Sequence, residues 1–311
     1  MFDLNEIAEK YLLQIKRTHR AATVRNYTRT VRAFAAFAAG REPDAQTVEA
    51  FADSLAGRSP NTVKQYLTDL HAFFNYCVEK RLVQSNPIAT KSIPKGVTPI
   101  YDLLSADEIE TLIKAKPPLS RPILCRNYAI VTIALLCGLR NGEIRALHLN
   151  DIDDSTGTLT VREGKGGKKR IVPLPVTVAV AVRDYIRSGA RPQSLPASAP
   201  LFGSYKEGNL QPHRNENENQ RQKTEWHALS GQFVNEMLKR TTKKTIGREI
   251  HAHLFRHAAA SYWDDMGVEM RDVQIALGHS SIRTTERVYV EVLNKSRAAT
   301  AINAAFASRG I

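Results

Sequence analysis

The chain of 311 residues holds only three cysteines and two tryptophans. An odd number of cysteines cannot all pair, and Cys77, Cys125 and Cys137 sit among apolar or helix-forming neighbours without a Cys-x-x-Cys spacing. A disulfide framework is therefore excluded, and reduced core thiols in a cytoplasmic protein are expected. Long hydrophobic runs are also missing. The longest, Tyr128 to Leu139, is about half of the ~20 residues a spanning helix needs, which predicts a buried helix and no membrane partner. No export signal is visible, because MFDLNEIAEKYLLQIK carries Asp3, Glu6 and Glu9 where such a signal is basic and then continuously apolar. Seventeen glycines and 14 prolines are too few for collagenous or low-complexity chains, and 42% hydrophobic residues rule out wholesale disorder. Acid is in deficit: 44 Lys and Arg face 31 Asp and Glu, a net +13, so a polyanionic partner is the first expectation. The charge is spread along the chain, with 14 basic against 9 acidic residues up to Tyr101.

From Leu4 to Pro87 the apolar spacing is helical, with Ile7, Tyr11 and Ile15 followed by Val24, Tyr27, Val31, Phe34 and Phe37. Four or five short helices are expected there, one of them opened by Ser59-Pro60-Asn61-Thr62. Residues 88–101, IATKSIPKGVTPIY, show neither a helical nor a two-residue period and read as a linker. Ser105-Ala106-Asp107-Glu108 is a capping-box pattern, Arg126 to Cys137 is a strongly apolar helix, and Gly138 is its natural stop. Thr158 to Val161 and Arg170 to Leu174 are β-prone runs around the turn Glu163-Gly164-Lys165-Gly166-Gly167-Lys168, a hairpin with a lysine-rich tip. Residues 203–225 are polar and predict a long exposed loop, after which helical patterning resumes near Ser230. No repeat of solenoid length is present. The fold class expected is mainly α with a small antiparallel β-sheet.

Five local signals follow, each weak alone. Arg140 stands at the break between the apolar helix and a new helix start, where its fork can meet a phosphate beside free amides, or simply pair with Glu143. Lys165, Lys168, Lys169 and Arg170 cluster at the hairpin, a pattern usual for solvated turns. His251-Ala252-His253-Leu254-Phe255-Arg256-His257 packs three imidazoles and a guanidinium into seven residues. A zinc hydrolase on His251, His253 and His257 is one reading, although the usual neighbouring Glu base is missing. Leu277-Gly278-His279 fits a routine C-cap as well as a site, and Tyr289 alone fits a core or interface position.

Their joint order changes the odds. GLRNGEIRAL, EGKGGKKRIVPL, HAHLFRH and LGHSSIRTTERVY, at their mutual spacing, resemble the motifs of the tyrosine recombinase family, also called phage integrases. The resemblance covers most of 102–311, and SPNTVKQYLTDLHAFFNYCVEKRLVQSNP is similar to the family's core-binding domain. It implies a helical core-binding domain at 1–87, a linker at 88–101, and a mixed α/β catalytic domain at 102–311 ending in a tail helix. It makes Tyr289 the nucleophile, Arg140 and Arg256 the phosphate clamp, and Lys165, His253 and His279 the remaining catalytic residues, with Glu143 and His257 supporting. Lys168 rivals Lys165, since register is not legible in a glycine-rich turn. Two departures stand out: the interval from His279 to Tyr289 is one residue longer than in many relatives, and Leu254-Phe255 replaces the common Asp-Leu.

The implied activity is site-specific recombination of DNA, by integration, excision or resolution, through a covalent 3′-phosphotyrosyl intermediate. Such chemistry needs no metal and no cofactor. Two guanidinia answer the charge gained at phosphorus, a lysine protonates the leaving 5′ oxygen, and the phosphotyrosine keeps the bond energy for resealing. Double-stranded DNA is the expected partner, held by a homo-tetramer assembled on it, with accessory DNA-bending proteins as further candidates. A type IB topoisomerase and a non-catalytic DNA-binding regulator are the alternatives on the same fold.

Overall fold

A computed structural model describes residues 3–19, 21–88, 93–94, 96, 102–162, 169–205 and 226–278. The chain divides into two compact units, residues 1–99 and 100–311.

Among the described residues the first unit contains four helices: α1 (Leu4–Thr18), α2 (Ala21–Phe37), α3 (Ala45–Ser54) and α4 (Pro60–Glu79). Three of them are capped at the start by an oxygen side chain, from Asp3, Asp44 and Ser59, each accepting amide hydrogens the helix leaves unpaired. Two reach 17 and 20 residues, longer than the short helices the sequence suggests. Their inward faces pool Tyr11, Phe34, Phe51, Phe73 and Phe74, which meet mostly edge to face. Burying each such ring is worth about 1.5–3 kcal/mol. One buried charge crosses this core. Asp69, 2% exposed, accepts from Thr30 Oγ1 of α2 at 2.9 Å and from Gln65 Nε2 of its own helix at 2.7 Å. Beyond α4, Asn86 donates to the His71 carbonyl, Ile88 is buried, and Ile93 packs against the same core.

The second unit is built on α6 (Pro122–Leu136), whose residues from Tyr128 to Leu136 are all buried. A helix apolar all round must be central. Around it lie α5 (Ala106–Lys114), α7 (Asn141–Arg145), α8 (Val176–Arg187), α9 (Gly231–Ile246), α10 (Ala252–Asp265) and α11 (Met270–Leu277). The full capping box expected at Ser105 and Glu108 is present. Three short strands, β1 (Ile152–Asp153), β2 (Thr158–Val161) and β3 (Arg170–Pro173), form an antiparallel sheet in that order. Leu159 pairs with Val172 and Val161 with Arg170, which turns Leu159, Val161 and Val172 into the core and leaves Ile171 exposed.

The polar stretch 203–225 is not loop throughout. Gly203–Tyr205 (β4) and Trp226–Ala228 (β5) pair as a second antiparallel ladder, closed by Tyr205 against Trp226 at 5.3 Å and by Trp226 Nε1 donating to the Pro200 carbonyl. The lysine tip at 163–168 lies outside the described residues, as does everything from His279 onward. All three cysteines are free and buried, and among the described residues no helix is long and apolar enough to cross a membrane.

Candidate active site

The site is assembled where α6 stops. Gly138 adopts φ +61°, a left-handed turn that L side chains disfavour, and its absent Cβ leaves room for Leu277, whose Cδ2 would lie 2.6 Å from one. The turn delivers Arg140 to the cap position of α7. There the Arg140 amide donates to Glu143 Oε2 at 2.8 Å, and its guanidinium Nη1 donates to Oε1 at 2.9 Å. Short α7 is held in place by Asn141 Nδ2 on the Gly231 carbonyl and Arg145 Nε on the Leu229 carbonyl, both at the start of α9.

Glu143 is the hub. Its side chain is only 4% exposed, and Arg170 of β3 grips it with both η nitrogens, at 2.8 and 2.9 Å. Burial works against its ionised form. Hydrogen bonds from Arg170 and from the Arg140 amide, with the charges of both arginines, outweigh burial and bring the carboxyl down to about 2. Arg256, from the first turns of α10, brings a third guanidinium to within 3.9 Å of Glu143 Oε2. Its Nη1 donates to the Gly138 carbonyl at 2.7 Å and its Nη2 to the Leu277 carbonyl. Burial first, and the charge of Arg140 second, push this guanidinium down to about 9, so it is still cationic at neutral pH.

The two histidines of α10 lie one turn apart. His253 faces solvent and meets the buried His257 edge to face, ring centres 4.7 Å apart. Desolvation, then the charges of Arg256 and Arg140, lower the pKa of His253; desolvation, then His253 and Arg256, lower that of His257 to about 4. Both imidazoles are thus neutral at pH 7 and able to donate and accept hydrogen bonds. His251 stands at the N-cap position of α10 without a side-chain cap bond and is exposed. Among the described residues no three His, Cys, Asp or Glu side chains converge as metal ligands.

Of the residues picked from sequence, Arg140, Glu143, His253, Arg256 and His257 come together here. Lys165, Lys168, His279 and Tyr289 lie outside the described residues. The flanking elements nevertheless run to this place. Strand β3, which follows the lysine tip, starts at Arg170 on the hub, and α11, which precedes His279, ends with Leu277 on Arg256. Sequence reading missed Arg170, counting it as one more turn charge. Only its place at the first paired position of a strand opposite Val161 marked it as inward-facing.

Three guanidinia around a single buried carboxylate leave a net positive centre, which suits a phosphodiester with its charge rising in the transition state. The comparisons with known proteins agree. Residues 102–296 match the model of the phage integrase family, and residues 3–93 that of the phage integrase SAM-like domain. The chain belongs to the phage integrase family: it is a tyrosine recombinase, an enzyme of site-specific DNA recombination. It is 30% identical over 243 residues to tyrosine recombinase XerC of Syntrophus aciditrophicus (strain SB), covering 75% of this chain and 71% of that one. With tyrosine recombinase XerD of Pseudomonas putida it shares 30% over 230 residues, 73% and 70% of the two chains. A crystal structure of XerH site-specific recombinase bound to palindromic difH substrate, a post-cleavage complex, has the same fold at a TM-score of 0.69 and 19% identity, over 94% of this chain and 83% of that one.

Proposed function

We propose that this chain cuts a DNA strand with the Tyr289 hydroxyl, holds the 3′ phosphate as a tyrosyl ester, and passes it to the 5′ hydroxyl of another strand. The observation that supports this most is the meeting of Arg140 and Arg256, far apart in sequence, at one buried carboxylate. Arg140 gives a single η nitrogen to Glu143, and its side chain is 28% exposed, so part of its fork faces outward. Arg256 is fixed by two backbone carbonyls and keeps further N–H donors for a ligand. In this reading the two forks bind the non-bridging oxygens, Lys165 protonates the leaving 5′ oxygen, and His253 and His279 hydrogen-bond the phosphate or take the tyrosyl proton. Glu143 orients Arg140, and His257 backs His253.

The residues up to about 87 form the DNA-embracing core-binding domain, 88–101 the link, and 102–311 the catalytic domain. The positive charge carried by both parts grips backbone phosphates on either side of the duplex. Four copies act together on DNA in the cytoplasm, accessory DNA-bending proteins can aid the assembly, and the tail from Lys295 to Phe306 joins neighbours.

The test uses the full chain and a duplex it selects from a randomised pool, nicked near the scissile phosphate so that the cut fragment diffuses away. The wild type is expected to accumulate a covalent protein–DNA adduct, and Tyr289→Phe to bind the same duplex without forming one. An unchanged adduct in the variant would move the nucleophile elsewhere. Relaxation of supercoiled DNA without any preferred site would favour a topoisomerase.

A further inference from the structure

Glu143 is saturated. Its two oxygens accept four hydrogen bonds, two from Arg140 and two from Arg170, which fills the roughly four lone-pair positions a carboxylate offers. Arg256 Nη1 stands just outside this set, at 3.9 Å from Oε2. Arg170 is built for the place. Its side chain is 11% exposed, its third nitrogen, Nε, donates to the Ala276 carbonyl at 2.9 Å, and Gly278 lacks the Cβ that would press on its Cδ at 2.9 Å. It therefore joins β3, α7 and the end of α11, each of its three nitrogens spending a hydrogen bond inside the protein.

Charge shows what this arrangement does. Three guanidinia and one carboxylate sum to +2, and Arg170 supplies two of the four hydrogen bonds that answer Glu143, so less of the carboxylate's charge is drawn from Arg140 and Arg256. Without Arg170 the surplus falls to +1. Glu143 would then lean its charge on the two remaining arginines, and Arg256 Nη1 would need to close only about 1 Å to leave the Gly138 carbonyl for Oε2.

We propose that Arg170 is a positioning residue for strand cleavage, one that absorbs the charge of Glu143 and so reserves Arg140 and Arg256 for the scissile phosphate. This rests on the phosphate-clamp reading above. In this reading Arg170 acts through Glu143 rather than on the substrate.

The test is a double-variant cycle on the nicked duplex described above, with single-turnover adduct formation as the readout and thermal melting to establish that each variant is folded. Arg170→Gln leaves Glu143 drawing only on the clamp arginines and is expected to slow cleavage about 100-fold, the scale of losing one preorganised donor. Removing the carboxylate as well, in Arg170→Gln with Glu143→Gln, restores the surplus of +2 and is expected to recover about tenfold of that loss. A purely structural tether predicts the opposite sign, with the double variant no faster than Arg170→Gln, and that result overturns the inference. Arg170→Lys keeps the charge and loses the fork. It is expected within about tenfold of wild type, consistent with one weakened ion pair, and a folded Arg170→Lys as slow as Arg170→Gln would also overturn the inference. The wild-type lane reads the underlying assignment alone: no tyrosyl adduct there removes the clamp reading and this inference with it.

Discussion

Gly138→Ala probes the seam between fold and chemistry. Gly138 has φ +61°, and an added Cβ would lie 2.6 Å from Leu277 Cδ2 and 3.4 Å from Ala259 Cβ. The left-handed conformation costs an alanine about 1 kcal/mol. Leu277 is 1% exposed and Ala259 is fully buried, so neither has open space to retreat into, and the overlap adds about 1–3 kcal/mol. Gly157 is the control, because its φ is +64° but nothing lies within 4 Å of its added Cβ, so only the first cost applies. Melting of the full chain should therefore fall about 2–4 °C for Gly157→Ala and roughly 4–16 °C for Gly138→Ala. The functional consequence is more specific. The two residues forced apart, Gly138 and Leu277, are those whose carbonyls anchor the Arg256 fork. Strand cleavage by Gly138→Ala, measured well below its melting temperature, should drop at least tenfold, while Gly157→Ala cleaves like wild type. Equal melting losses in the two variants, or unimpaired cleavage by folded Gly138→Ala, would refute the reasoning.

Acid should loosen the second unit through His257. Its folded pKa, about 4, lies below the ordinary 6.5, so its contribution is complete above pH 6.5 and lost as pH falls towards 4, by up to about 3 kcal/mol. His257→Phe should flatten the melting temperature across that window, and an unchanged slope would assign the acid sensitivity to another group. DNA affinity should fall steeply between about 50 and 200 mM salt, as counterion release requires; binding insensitive to salt would contradict a backbone-phosphate grip. Asp69→Leu leaves Thr30 and Gln65 without their acceptor and should destabilise the first unit by about 1–3 kcal/mol, read by denaturant titration. Lys165→Ala should cleave slowly on ordinary DNA and recover on a duplex whose bridging 5′ oxygen is sulfur, a leaving group that needs no proton. No recovery would give the acid role to another residue.

Much of this was legible in sequence because it is local. Ser59 and Ser105 announce their helices through short-range caps, the unbroken apolar run before Gly138 marks the central helix, and β2 and β3 stand out by alternation. The meeting of Arg140, Glu143, Arg256 and the α10 histidines was implied by the family resemblance that the motifs carry. What escaped depends on distant partners. The β4–β5 ladder is only three residues long on each side and is held by a Trp226 contact to Pro200, which no periodicity reveals. Helix α8 opens at Val176 after Pro175 without a side-chain cap bond, so it lacks the Ser or Asp cap that marks other starts. Arg170 looked like a solvated turn charge because its partners, Glu143 and the Ala276 carbonyl, come from segments 27 and 106 residues away.

The most direct test is to identify the atom that carries the DNA. Wild-type adduct trapped on the nicked duplex, digested with nuclease and protease and sequenced by mass spectrometry, should show a nucleotide joined through its 3′ phosphate to the tyrosine of the peptide containing Thr284 to Val290. A nucleotide on any other side chain, or linkage through a 5′ phosphate, would contradict the account.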